Sequence, residues 1–546
     1  MAPTWSHTYR LFARCIRGLE DALSRELVSF GFPRDSLIKS NSGIYIEDGS
    51  LLRLYFLSYF SRLSNGMFLE AGRFRVKDKL SFTEQCSSLS WNHIICPTST
   101  FRVDSFVKDR SCFIHSNRYG SQLVKDGIIQ HYRGLQTDLT PTVSLKDPEI
   151  KVQLHVDRGE ATLLIDGVGY PTSARHYRYK PEISDIDPTI AVALINDMGI
   201  ASYQSHGSCV HHYERLCRDC ILDRSVNNGN TTSSQNINIA NECPEDNKTN
   251  SASILKYIQH KEADSTKHDR IDQPKYDPPP GMVVELFAGC GTFLIESAML
   301  AARIAPGSLS PRFAFQRFAT YSHDAFCRLQ VYASNLKVPV DSDHYKALER
   351  TFVGLESCWE KVEACLYSAE RAGVLDLVRI IQSDYLKDGL YDLNRDRNPG
   401  ETWRFLVAQL PRLTNQFGTL PDTKYNATDN VPISSGNSSV MGSGGRQIPK
   451  PTSLTQGTLA GCSIPNKHIQ RRSSQLDPYR YYQLLRNVSR LCRKLFDHDA
   501  KSLLVAPYVL QKGEIETAFG TPLRGGRQFV KGGVPSTAYH GGITDI

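Results

Sequence analysis

The sequence predicts an α/β protein in which a parallel sheet covered on both faces follows an α+β region. Three observations carry that expectation. After Pro280, continuous apolar strands alternate with amphipathic helices, the pattern of strands buried on both sides. From Tyr9 to about Arg178, short apolar strands alternate with helices in an α+β texture. A chain of 546 residues also exceeds what one core serves, so several domains are expected.

In the first region YRLFARC reads as a strand, LEDALSRELVSFGF as a helix ended at Gly31, and SGIYIE as a second strand. TFRVDSFVKD, from Thr100, is a strand pattern. YGSQLVKDGIIQHYR is helical, and IKVQLHVDRGEATLLID is a strand pair. In the second region strand MVVELF, helix TFLIESAMLAARIA, strand TFVGLE, helix WEKVEACLYSAERAG, strands LVRIIQ and WRFLVAQ, helix YRYYQLLRNVSRLCRKLF and strand KSLLVAP follow one another. Two stretches break the texture. Residues 223–253 and 422–476 are rich in small polar residues and bury too little to offset the entropy of ordering, so both are expected to be disordered inserts without chemistry.

Composition narrows the class. Hydrophobic residues at 40% and charged residues at 22% exclude wholesale disorder and a collagen repeat. No apolar run approaches the ~18 residues of a membrane span, and the N-terminal MAPTWSHTYRLFARC lacks the apolar core of a secretory signal. An intracellular protein is expected, cytoplasmic or in an organelle matrix. The 14 cysteines show no framework spacing and are expected to be reduced thiols. A net charge of +7 is compatible with a polyanionic partner without demanding one.

The sharpest motif runs from Val283 to Phe293, VVELFAGCGTF, a buried strand leading through two glycines into a helix. Gly289 and Gly291 let the main chain turn tightly against a ligand, and the helix start offers free N–H groups. The motif lacks the lysine of a phosphate loop and places Glu285 on the strand before the glycines, where an acid would repel a pyrophosphate but pair with an ammonium. S-adenosylmethionine therefore fits better than NAD or ATP. Glu356 ends the second strand, where a carboxylate can accept ribose hydroxyls. It lies 71 positions after Glu285, so extra helices must intervene, with RFAFQRF and HDAFCRLQVYASNL as candidates. Asp384 ends the third strand within reach of an adenine amino group. Cys209, His211, His212, Cys217 and Cys220 include enough donors for zinc, but a single C-x-x-C with irregular spacing favours no metal.

Several segments taken in order carry a resemblance: LFARCIRGLEDALSREL (11–27), HSNRY (115–119) with VKDGI (124–128), DPEIKVQLHVDRGEATLLIDGVGYPTSARHYR, ELFAGCGTFLIESAMLA, RFAFQRF, VGLESCWEKVEACLYSAERAGV and VKGGVPSTAYHGGI. With them the chain resembles the THUMP-domain RNA methyltransferases, especially the rRNA large-subunit guanine-N2 methyltransferases and their tRNA relatives. The resemblance implies a ferredoxin-like module at 1–60, a THUMP RNA-binding domain at 61–178, and a Rossmann-like methyltransferase domain at 179–546 with polar inserts at about 201–278 and 422–476. It implies that Glu285, Phe287, Gly289, Gly291 and Thr292 hold the methionine part of the cofactor, Glu356 the ribose and Asp384 the adenine. RNA contact is expected at Arg118, Tyr119, Lys125, Arg175 and Arg178, where cations interleave with aromatics.

The chain departs from the family at the loop after WRFLVA. The family has Asn-Pro-Pro-Tyr there, whose amide and carbonyl accept from the exocyclic amine while the tyrosine stacks on the base. Here the loop reads Gln409-Leu410-Pro411-Arg412. Gln409 keeps an amide one methylene further out, the Leu410 carbonyl still provides an acceptor, and Arg412 replaces the aromatic platform. Two readings stay open: methyl transfer to the N2 amine of guanine in rRNA or tRNA, and an RNA-binding or assembly factor that keeps the fold with impaired catalysis. Methylation of DNA or protein at the same loop is a third.

Overall fold

Two sheets organise the chain in the computed structural model, which describes residues 8–108, 112–135, 139–181, 185–201, 209–227, 281–349, 351–383, 403–409, 501–507, 516, 524–531 and 534–542. All of these fall in one unit, Met1–Leu410 with Gln483–Ile546. The first sheet contains β1 (Tyr9–Arg14), β2 (Leu37–Ser40), β3 (Gly43–Gly49), β4 (Gly66–Arg75), β5 (Thr100–Val107), β6 (Thr142–Val143), β7 (Ile150–Asp157) and β8 (Glu160–Asp166). Its order is β2-β3-β1-β4-β8-β7-β5-β6, so it runs without interruption across the junction expected near residue 60.

Helices α1 (Glu20–Ser29), α2 (Leu51–Phe60), α3 (Lys79–Ser87) and α4 (Asn117–Gly134) accompany this sheet. Local chemistry starts three of them. Ser50 accepts from Arg53 N at 3.2 Å, Asp78 from Ser81 N at 2.9 Å and Ser116 from Tyr119 N at 3.2 Å, each satisfying an orphan donor at the helix start. The other face of the sheet carries a small cluster of Phe12, Phe68 and Leu164 with Tyr45 against it. Arg10 and Arg73 lie over the Tyr45 ring and Arg14 over Phe68.

The second sheet is built from β9 (Met282–Leu286), β10 (Phe352–Glu356), β11 (Val378–Gln382), β12 (Trp403–Gln409), β13 (Lys501–Pro507), β14 (Arg524–Lys531) and β15 (Val534–Gly542). The order β11-β10-β9-β12-β13-β15-β14 is that of a doubly wound, Rossmann-like sheet, parallel from β11 to β13 and antiparallel where β15 joins. Chain order reverses between β9 and β12, and such a switch point opens a crevice at the carboxyl ends of the strands.

Helices α5 (Pro188–Met198), α6 (Val210–Asn227), α7 (Thr292–Ala301), α8 (His323–Leu336), α9 (Asp343–Leu348) and α10 (Trp359–Ala372) belong to this half. Two expectations are corrected. The insert expected at 201–278 holds helix α6, because Val210, Tyr213 and Cys217 recur on one side of the helix and are buried. RFAFQRF forms a single 3-10 turn, Ala314–Arg317, instead of a helix. Its N–H groups serve the first sheet: Ala314 N donates to Val168 O at 3.0 Å and Phe315 N to Gly167 O at 2.9 Å. The expected helix YRYYQLLRNVSRLCRKLF and the insert at 422–476 lie outside the described residues. Among the described residues no helix is long and apolar enough to cross a membrane, and the ten cysteines reported there are free.

A buried polar cluster joins the two halves. Glu296, near the middle of α7, accepts from Arg175 Nε at 2.8 Å and Tyr177 OH at 2.9 Å, and pairs with Arg62 at 3.4 Å. Arg62 also donates to the carbonyl of Met299 in the same helix and to that of Ile304 just beyond its end. Arg175 closes the ring by donating to Arg62 O at 2.9 Å.

Candidate functional site

At the end of β9 the chain turns sharply. Phe287, Gly289 and Gly291 have φ of 60°, 56° and 73°, left-handed values that glycine takes without strain and phenylalanine does not. Gly291 is the residue before α7, and no side chain caps that helix start. Space demands glycine there as well, since a Cβ at Gly291 would lie 2.2 Å from Cys365 Sγ on α10.

Glu356 holds the turn from the next strand. Its Oε2 accepts from Gly289 N at 2.9 Å, and its Oε1 from Ser357 N and Cys358 N, both at 3.0 Å. Glu285 is fully buried, and the Gln409 amide donates to its Oε1 across the pairing of β9 and β12. Thus Glu285, Phe287, Gly289, Gly291, Thr292, Glu356 and Gln409 come together at the switch point. Gln409 is itself buried, and one N–H of its amide is engaged by Glu285. Asp384, Leu410, Pro411 and Arg412 lie outside the described residues.

A segment that motif reading did not assign also reaches this turn. Asp185 stands so that a Cβ on Gly289 would be 3.1 Å from its Oδ1, and its Oδ2 pairs with Arg178 at 3.5 Å. The same segment anchors on α10, where Tyr179 N donates to Ser368 Oγ at 3.0 Å and the Tyr179 and Tyr367 rings are 5.1 Å apart. The signal was the run Ser184-Asp185-Ile186-Asp187-Pro188, in which Asp187 and Pro188 mark a helix start and leave the preceding acid unexplained. Burial, then the charge of Glu285, the neighbouring Cys290, and the charges of Glu356 and Asp185, push the Cys365 thiol well above its usual range. Glu356 and Asp185 thus reach the glycine turn itself, with Glu285 on the strand that leads into it.

The expected RNA contacts divide. Arg118 is exposed at the start of α4, Tyr119 stacks on His115 with centroids 5.6 Å apart, and Lys125 is half-exposed beside Asp126. Arg175 is corrected: at 5% exposure its guanidinium is spent on Glu296 and on main-chain carbonyls, so it fastens the two halves and cannot meet a nucleic acid. Arg178 is largely enclosed and belongs to the wall of the glycine turn.

The cysteine and histidine segment is distributed over separate contacts. Cys209 N donates to Tyr332 OH at 2.9 Å, His211 Nε2 meets Gly31 O at 2.8 Å, His212 stacks on Tyr332, and Cys217 is buried. The Cys220 side chain lies outside the described residues. No group of three or more metal-ligating side chains assembles among the described ones.

Comparison with known proteins agrees with this geometry. Residues 77–166 match the THUMP domain, and residues 279–391 match the RMKL-like methyltransferase domain. The chain is 25% identical over 370 residues to the ribosomal RNA large subunit methyltransferase K/L of Legionella pneumophila, covering 68% of this chain and 40% of that protein. It is 23% identical over 386 residues to the protein of the same name from Pseudomonas aeruginosa, covering 69% and 40%. The chain thus spans about 40% of the length of these relatives. Among solved structures, SMU.472 complexed with SAH superposes with a TM-score of 0.60 at 14% identity, over 98% of this chain and 97% of that one. TrmN from Thermus thermophilus does so with a TM-score of 0.50 at 14% identity, over 97% and 98%.

Proposed function

We propose that this chain, which joins a THUMP domain to an RMKL-like methyltransferase domain, transfers the methyl group of S-adenosylmethionine to the N2 amine of a guanine in ribosomal RNA. The observation that carries the reading is the glycine turn at the switch point, uncapped at its helix and gripped by Glu356. The names of the relatives support the RNA substrate, with tRNA as the nearest alternative. They lend no support to a factor that has lost catalysis. The division into modules at 1–60, 61–178 and 179–546 is part of the same proposal.

The residues present fit the donor. Gly289 and Gly291 permit the left-handed turn that brings bare main chain to the crevice, and the first N–H groups of α7 are available to the donor. Glu285, Phe287, Gly289, Gly291 and Thr292 would bound the methionine part, Glu356 the ribose and Asp384 the adenine. When bound, the sulfonium supplies an already activated methyl group, so the protein's contribution is alignment. Gln409, Leu410, Pro411 and Arg412 would frame the acceptor amine, and Arg118, Tyr119 and Lys125 would hold the surrounding RNA. The target base must leave its stack to reach that frame.

Calorimetry with S-adenosylmethionine followed by tritium-methyl transfer to rRNA and tRNA tests the reading. Label recovered as N2-methylguanosine in rRNA is expected. Cofactor binding without label in any RNA would overturn the enzymatic part, and label confined to DNA or protein would overturn the substrate.

A further inference from the structure

The three acids at the glycine turn are not equivalent. Glu285 is fully buried, with Oε1 engaged by Gln409. Glu356 is occupied by three main-chain N–H groups. Asp185 lies beside Gly289, where the missing Cβ leaves its Oδ1 next to the turn, and its other oxygen is held by Arg178. Arg178 in turn has a buried Nε without a hydrogen-bond partner among the described residues. An acid and a cation with an unused N–H thus stand side by side at the turn.

That juxtaposition matches a zwitterion. The methionine tail of the donor carries an α-ammonium and an α-carboxylate on one carbon, and a fixed Asp–Arg pair offers the opposite charge to each. Resting on the cofactor reading above, we propose that Asp185 accepts the α-ammonium and Arg178 meets the α-carboxylate. Glu285, held by Gln409, also braces β9 against β12. The assignment explains why the linker between the halves, and not only the strand ends, is pressed against the turn. It also removes Arg178 from the RNA surface.

The test compares two ligands on the full chain by titration calorimetry. S-adenosylhomocysteine carries the amino-acid tail, and 5′-methylthioadenosine has the same nucleoside and thioether without it. Asp185→Asn and Arg178→Gln are each expected to weaken S-adenosylhomocysteine at least tenfold and to leave methylthioadenosine within twofold, while Glu356→Ala weakens both. Unchanged S-adenosylhomocysteine binding in Asp185→Asn would overturn the proposal, and so would equal losses for the two ligands, which would mean that Asp185 merely shapes the turn. Should Asp185→Asn fail to fold, Asp185→Glu keeps the charge, displaces it by one methylene and is read in the same way. Wild-type protein that binds neither ligand would overturn the cofactor reading itself, an outcome distinct from a selective failure of the variants.

Discussion

Glu296 and Glu356 are both almost wholly enclosed, stand on adjoining parts of the same half, and are treated in opposite ways. Glu296 is met by two arginines and a tyrosine hydroxyl that arrive from the first half of the chain. Glu356 is met by the main-chain N–H groups of Gly289, Ser357 and Cys358. A carboxylate answered by guanidinium groups is neutralised and becomes a fastening. One answered by peptide N–H groups is fixed in place by dipoles instead of by a counter-ion, which suits a group at a ligand crevice. Glu26 stands between the two: it accepts from Ser61 Oγ and Arg62 N, both at 2.8 Å, but burial pushes its carboxyl up to about 7.

The largest effect is expected where the fastening is cut. Glu296→Ala leaves Arg62 and Arg175 buried without their counter-charge, and such a break typically costs ~3–5 kcal/mol. Urea denaturation should show that loss. A smaller effect than Glu356→Ala in the same assay would break the contrast.

Next comes Glu26, whose sign is set by its raised value. A carboxyl at about 7 in the folded chain, against an ordinary 4.5, stabilises most below pH 4.5, and the contribution is lost as pH rises through about 7. Glu26→Gln should remove that dependence, gaining on wild type by up to roughly 3 kcal/mol between pH 5 and 8. Denaturation midpoints across that range check it, and parallel curves for the two proteins would refute it.

Gly291→Ala sharpens the ligand side. The added Cβ meets Cys365 Sγ in a left-handed conformation, a strain of about 1–3 kcal/mol, and S-adenosylmethionine affinity should fall at least tenfold by calorimetry. The smallest effect is expected away from both acids. Ser116→Ala removes the cap of α4 and should cost about 1 kcal/mol in thermal or urea unfolding, with cofactor binding untouched.

Much of the second half was legible because its signals are local. The apolar runs of β9, β10 and β13 read as doubly covered strands, and two glycines after Leu286 announce a close approach. Glu356 was legible from its place at a strand end. Asp185, Arg175 and Arg62 were not, because their roles depend on partners far along the chain: Arg175 meets a residue 121 positions away and Arg62 one 234 away. A basic pair around a tyrosine looks alike in sequence whether it faces RNA or a buried glutamate. Helix α6 was hidden for another reason, since its apolar stripe of Val210, Tyr213 and Cys217 is short and adjoins a polar run.

The uninterrupted first sheet has a mechanical consequence. β1, β2 and β3 all precede residue 60, and β1 is zipped along β4 from Arg10–Glu70 to Arg14–Gly66. Cutting the chain after that point would strip one flank of β4 bare, and an unpaired flank of that kind recruits strands from other molecules. The opening sixty residues are thus less an appendage than a seal, and a version trimmed of them is expected to come out of the cell as aggregate.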